Sequence, residues 1–236
     1  MTRGFRRALL KISGEALAGA AGYGLDQSAT ARIAAEIAGP AKEGRELGVV
    51  IGGGNILRGV NAASLGLHPL TADHMGMIAT VINAMALAAA LEVQGVEARV
   101  MSAFQVGRFV ETFQREKALE LARAGIVLVF AGGTGNPCFT TDSAAALRAV
   151  EIGADVLIKA TQVPGVFDKD PKKHPDAVLL ENISPEEFLQ RRLEVLDAAS
   201  VDILRRKGTP VIVLDLHIQG NIARALNGEK IGSIIA

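Results

Sequence analysis

Lys11 stands next to last in the apolar run "RRALLKI", Lys159 stands inside "DVLIKA", and a third run, "GVVI", leads into Gly52, Gly53 and Gly54, with Arg58 shortly after. Glycine loses more backbone freedom on ordering than any other residue, so three in a row weaken a fold unless bare backbone is needed there. Unpaired backbone N–H groups at a strand-to-helix turn, reinforced by the positive end of a helix, make a ready anion site. Such amides together with the cations Lys11, Arg58 and Lys159 suit a transferring phosphoryl group, whose charge must be neutralised while donor and acceptor stay in line. Each signal alone has a plainer meaning. The triplet reads as a tight turn, a strand-end lysine as a snorkelling surface residue, and Asp142 as the cap of the helix beginning "SAAALRAV", with Thr140 and Thr141 as rivals. Arg205, Arg206 and Lys207 read as cations at a helix C-terminus ahead of Gly208. His68, His74, His174 and His217 are scattered without a partner at metal-ligand spacing, so no protein-held metal is expected. Neither the Gly-Lys-Ser/Thr phosphate loop nor the dinucleotide fingerprint is present.

For these residues to meet, the chain must bring several strand ends together. Short β-branched runs at residues 6–12, 48–51, 98–101, 126–130, 155–160 and 210–215 alternate with helix-period segments at 28–46, 73–94, 112–124, 142–153 and 195–207. That order implies a mostly parallel sheet covered on both faces, with ligands at the carboxyl ends of its strands. The loops at those ends are "KISGEAL", "GGGNILRG", "AGGTGNPCFTTDSAA" and "KATQVPGVFDKDP". Gly39 and Pro40 predict a kink or break in the first helix. Composition changes near Lys159, which points to a single domain, 1–236, with two lobes meeting at about residues 158 and 159.

The 236 residues are 49% apolar and 21% charged, the proportions of a globular chain with a large core. Lys+Arg and Asp+Glu balance at 25 each, so no global field gathers nucleic acid or an anionic membrane. Aromatics at 4% argue against base-stacking platforms, and the lone Cys138 fits a reducing cytoplasm. The basic start "MTRGFRRALLKISGEAL" has its apolar run cut by Lys11 and Glu15, so no signal-peptide core is expected. Residues 75–93 are nearly long enough to span a membrane, yet Asn83 within them and Asp73, His74 and Glu92 at the edges suit a buried core helix.

Taken in order, "LLKISGEAL", "VVIGGGNILRG", "ADHMGM", "AGGTGNPCFTTDSAA" and "KATQVPGVFDKDP", with "GEKIGSIIA" at the end, resemble the bacterial uridylate (UMP) kinases of the amino acid kinase family. The resemblance implies a three-layer αβα sandwich around a mainly parallel eight-stranded sheet. It implies ATP and UMP as substrates, Mg²⁺ carried with ATP, and a homohexamer. Carried over by position, Lys11, Asp142, Lys159 and Arg58 would be catalytic, with Asp142 orienting the lysines. Lys11, Ile12, Ser13, Gly14, Gly54, Arg58, Thr161, Phe167 and Asp170 would hold ATP. Gly53, Asp73 and the run Thr134, Gly135, Asn136, Pro137, Cys138, Phe139, Thr140 and Thr141 would hold UMP. Asp197 matches a family aspartate near the nucleotide site. Cys138 stands where the family commonly has an aromatic residue, so packing against the uridine is expected to differ.

The resemblance also bears on regulation. UTP would inhibit by occupying the acceptor site itself. Residues 18–24, "AGAAGYG", resemble the glycine-rich stretch the family associates with GTP, but Ala88 and Glu92 replace basic effector-binding side chains and only Arg99 is retained, which puts GTP activation in doubt. Relatives that phosphorylate a carboxylate or carbamate share the glycine loop, the lysines and the aspartate, so these parts alone do not choose the acceptor. A nucleotide-binding or storage module without turnover is a further alternative on the same fold, and "ADHMGM" and "TGNPCFTT" are what favour a UMP acceptor.

Overall fold

A computed structural model describes residues 4–57, 66–171 and 173–236. The strands are β1 (Arg7–Ile12), β2 (Glu46–Ile51), β3 (Ala98–Ser102), β4 (Glu111–Thr112), β5 (Val127–Ala131), β6 (Val156–Thr161), β7 (Val166–Phe167), β8 (Leu179–Leu180), β9 (Asn182–Ile183), β10 (Val211–Asp215) and β11 (Ser233–Ile235). The α-helices are α1 (Gln27–Lys42), α2 (Pro69–Val93), α3 (Arg115–Arg123), α4 (Thr141–Ile152), α5 (Pro185–Gln190), α6 (Ala198–Arg205) and α7 (Asn221–Leu226).

One nine-stranded sheet runs in the order β4-β3-β5-β2-β1-β6-β10-β11-β9, and β7 pairs with β8 apart from it. Every neighbouring pair in the large sheet is parallel except β10 with β11. The sheet has one strand more than expected, and the difference lies at its edges, where β4 and β9 have two residues each. A strand that short carries no periodicity to read. Residues 112–124, expected to be one helix, divide into the edge strand β4 and the shorter α3.

The alternation of side chains along a strand decides which face each residue serves. On β1, Ala8, Leu10 and Ile12 enter one apolar core with Ile33 and Ile37 of α1 and Leu87 and Leu91 of α2. Leu9 enters the opposite core with Ala145 and Ala149 of α4 and Val201 and Leu204 of α6. Lys11 therefore shares the α4 face with Leu9. On β6, Leu157 belongs to that second core and Ile158 to the first, so Lys159 faces α4 as well. The strands pair Lys11 directly with Lys159, which sets both ammonium groups side by side.

The first helix continues through Gly39 and Pro40 to Lys42 without a break. Pro40 lies in its last turn, where the missing N–H costs only the bond to the Glu36 carbonyl. Helix α2 starts one turn earlier than its periodicity suggests, because Pro69 occupies the first turn and the His68 ring accepts from Leu70 N. By length and composition α2 could cross a membrane; 44% of its most apolar window is buried within the fold. Val81, Ala84, Leu87 and Leu91 form that inner face.

Candidate active site

The centre of the site is a carboxylate between two ammonium groups. Lys11 Nζ is 2.8 Å from Asp142 Oδ1, and Lys159 Nζ donates to Asp142 Oδ2 at 2.6 Å. Lys159 also donates to the Val195 carbonyl, so it is held from two sides. Asp142 Oδ1 is buried and takes no aligned hydrogen bond, so its contact with Lys11 is ionic and Lys11 is the less tethered cation. Burial is the largest influence on Asp142 and works to raise its pKa. The charges of Lys11 and Lys159 at close range outweigh it and hold the carboxyl below its ordinary value. For Lys159 burial is again the largest influence, and together with the charge of Lys11 it lowers the pKa despite the pull of Asp142 and Asp197. The carboxylate is thus ionised across the neutral range and faces both ammonium nitrogens at close quarters.

Asp142 is free for this work because another residue caps its helix. Thr140 is the N-cap of α4; its hydroxyl oxygen accepts from Asp142 N at 3.0 Å, and its hydroxyl hydrogen goes to Asp197. The plainer reading of Asp142 as the cap is therefore replaced by one in which Thr140 does that job and Asp142 points at the lysines. Asp197 caps α6 through Ser200 N at 2.6 Å and also accepts from the Ser143 hydroxyl at 3.0 Å. Two helix N-termini, those of α4 and α6, are locked together beside the lysines. Arg205 and Arg206 bond Asp202 within α6, which bears out their reading as structural cations.

The glycine triplet has unequal members. None of its residues is left-handed, so the need is for space. A Cβ on Gly53 would stand 2.7 Å from the Gly76 carbonyl and 3.0 Å from Ala79 Cβ, both on α2. One on Gly52 would stand 3.0 Å from Gly14 N, and one on Gly14 would meet the Gly52 carbonyl at 2.5 Å. Gly54 has nothing nearer than the Glu15 side chain at 3.9 Å. The turns after β1 and β2 thus touch backbone to backbone, and Gly52 N donates to the Ile12 carbonyl at 2.9 Å. Ser13 precedes the 3₁₀ turn Gly14–Leu17 with its side chain uncommitted to capping.

Two cavities reach towards this centre, one through Thr141, next to Asp142, and one through Val195, which holds Lys159. The first is lined by Gly53, Gly54, Asp73, Thr134, Asn136, Pro137, Phe139 and Thr141, together with Met77 and Thr80 of α2. Seven expected acceptor residues therefore meet around one space. Gly135, Cys138 and Thr140 do not line it, but they shape its wall. Gly135 turns the loop at φ 83°, Cys138 does so at φ 69° while its N–H donates to Asp73 Oδ2 at 2.8 Å, and Thr140 caps α4. The second cavity is lined by Phe167 and Asp170, with Gly165 and residues 191–195. Thr161 lies at the end of β6 beside Asp215, outside that lining. Arg58 lies outside the described residues. Ala88, Glu92 and Arg99 share a separate groove with Arg108 and Glu111.

Sequence reasoning missed the Val195 carbonyl, Ser143, and Thr80, whose hydroxyl accepts from Gly132 N at 2.8 Å. A backbone carbonyl leaves no mark in sequence. Ser143 was visible inside "TTDSAA", and Thr80 as a polar residue in an apolar helix.

Comparison with known proteins agrees with this geometry. The profile of the Amino acid kinase family matches residues 6–215. The uridylate kinase of Xanthomonas oryzae pv. oryzae is 47% identical over 231 residues, covering 98% of this chain and 96% of that protein. The uridylate kinase of Paramagnetospirillum magneticum is 50% identical over 232 residues, covering 98% and 97%. The crystal structure of UMP kinase from Bacillus anthracis superposes with a TM-score of 0.95 at 33% identity, covering 99% of this chain and 96% of that one. Since the match takes in β1 through β10, and with them both lysine strands, the glycine turn and the capped aspartate, the chain belongs to the amino acid kinase family.

Proposed function

We propose that the chain transfers the γ-phosphoryl group of MgATP to UMP, giving UDP and ADP. The observation that carries this reading is the Lys11–Asp142–Lys159 cluster, tied to one cavity through Thr141, the residue before Asp142, and to a second through Val195, whose carbonyl accepts from Lys159. The acceptor cavity is built wholly from residues before 158 and the donor cavity wholly from residues after 159, which supports a division into two lobes. In this reading UMP sits in the first, its phosphate against Gly53 and its ribose near Asp73. ATP has its adenosine by Phe167, Asp170 and Thr161 and its phosphates over Ile12, Ser13, Gly14 and Gly54. Lys11 and Lys159 neutralise the charge that moves between them, with Arg58 assisting, and Asp142 and Asp197 fix where the cations stand. A phosphate acceptor is already ionised near neutral pH, so no group has to remove a proton from it.

Magnesium arrives with ATP in this scheme. Among the described residues no cluster of three or more His, Cys, Asp or Glu side chains is placed to hold a metal, and both oxygens of Asp142 already face ammonium groups. UTP, as an acceptor-site analogue, inhibits by filling the first cavity. The groove of Ala88, Glu92 and Arg99 sets two arginines, Arg99 and Arg108, against two carboxylates, Glu92 and Glu111, which gives little support to an anionic effector such as GTP there. A cytoplasmic location is consistent with the single cysteine. The deciding experiment is ADP release from MgATP with UMP, CMP, dUMP, GMP, acetylglutamate and carbamate offered in turn. Turnover with UMP well above all others is expected; equal rates with CMP, or a preference for acetylglutamate or carbamate, would overturn the assignment.

A further inference from the structure

Asn83 lies in the middle of the apolar helix α2 and is 0% exposed; Asn55, just after the glycine triplet, is 3% exposed. A buried amide costs stability unless all its hydrogen-bonding groups are paired. Here they are. Asn83 Nδ2 donates to the Gly52 carbonyl at 2.6 Å and to Asn55 Oδ1 at 2.7 Å. Asn55 Nδ2 donates to Asn83 Oδ1 at 3.1 Å and to the Gly24 carbonyl at 2.7 Å. All four amide hydrogens are used, and the two backbone carbonyls admit only this orientation of the amides, since a flipped group would set oxygen against oxygen. The Asn55 carbonyl in turn accepts from Gly24 N at 2.8 Å.

A leucine at 83 would serve the core as well, so the amide has another use. It grips the carbonyl that opens the glycine triplet and, in Asn55, the residue that follows it. The Gly52 carbonyl and Asn55 Oδ1 also bracket Gly14, each 2.5 Å from where its Cβ would be. The pair therefore fixes the spacing between the turn after β1 and the turn after β2. We infer that Asn55 and Asn83 are positioning residues that set the distance between donor and acceptor phosphates. The inference rests on the phosphoryl-transfer reading, in which ATP phosphates lie over the first turn and Gly54 and the UMP phosphate lies against Gly53. Misplacement of reacting groups by about 1 Å costs on the order of a hundredfold in rate, while nucleosides anchored elsewhere keep their affinity.

The test is Asn83→Ser, which leaves a small polar residue in the helix and dissolves the amide pair. Turnover should fall about tenfold or more, with KM for UMP and for MgATP each within about threefold of the parent. Amide hydrogen exchange across residues 52–57 should speed up while that of β1 stays slow. Turnover within about twofold of the parent, or a parallel loss of kcat, both affinities and melting temperature, would overturn the inference. If Asn83→Ser does not fold, Asn55→Ser, which leaves α2 untouched, is read by the same criteria. If the parent releases no ADP from MgATP and UMP, the functional reading fails, and the exchange measurement still decides whether the amide pair holds the glycine turn.

Discussion

Asp142 has its two oxygens 2.8 and 2.6 Å from ammonium nitrogens, so it serves as an anchor for cations and is badly placed to take a proton. Lys11→Ala removes the less tethered cation. If it follows the moving charge, turnover should drop by about a hundred- to a thousandfold with little change in KM for UMP. Near-normal turnover in Lys11→Ala would return the residue to the role of a snorkelling surface lysine. The pH profile gives an independent reading. Lys159 must be charged to act, and its pKa lies below the ordinary 10.5, with burial the chief cause and Asp142 an opposing one. Activity should therefore fall with rising pH earlier than for a free lysine. Asp142→Asn deletes an influence that raises the pKa, so that alkaline limb should move to still lower pH, and a limb that moves upward would refute the coupling. The last two glycines of the triplet differ in kind. Gly53→Val drives a side chain into the Gly76 carbonyl and should cost about 1–3 kcal/mol of stability along with UMP binding. Gly54→Ala meets only ordinary contact and should leave stability within about 0.5 kcal/mol, so any loss of turnover it causes belongs to the bound nucleotide.

At the scale of elements, helix ends govern the site more than helix bodies do. Helix α5 ends in a Schellman turn: Leu193 N donates to the Phe188 carbonyl and Arg192 N to that of Leu189, with Arg192 left-handed at φ 52°. A side chain there costs roughly 1 kcal/mol that glycine avoids, so Arg192→Gly should raise the unfolding free energy by about that amount, measured by urea titration. An unchanged or lowered midpoint would mean that the guanidinium stabilises the fold by contacts that offset the strain. The central strands, the long helices and the glycine turns were legible in the sequence because apolar runs and punctuation repeat over many residues. Helix α5 was missed although Ser184, Pro185, Glu186 and Glu187 spell its start, with Ser184 accepting from Glu187 N at 3.1 Å. The two-residue strands could not be read, since pairing at an edge is set by what lies alongside. The roles of Thr140 and Asp142 stayed ambiguous for a related reason. Either residue can cap a helix, and only the lysines arriving from β1 and β6 decide between them.

At the scale of the molecule, α2 is apolar on two sides. Opposite its buried face, Met75, Ile78, Ile82 and Met85 follow helical spacing and are exposed, Ile78 by 54%. The homohexamer expected from family resemblance would cover such a stripe with a second copy of the chain. Sedimentation at micromolar concentration should show an oligomer that Ile82→Glu dissociates; a stable parental monomer would rule the contact out. The order of the sheet has a further consequence, for synthesis on the ribosome. Strand β1 leaves early and can pair with β2 soon after, but its other edge belongs to β6, which ends at Thr161. At about 5–20 residues per second, β1 waits on the order of ten seconds or more with one hydrogen-bonding edge bare. A nascent chain stalled before β6 should therefore be prone to pair with its neighbours and to need a chaperone, and the full chain, in which β10, backed by β11, covers the other edge of β6, should not.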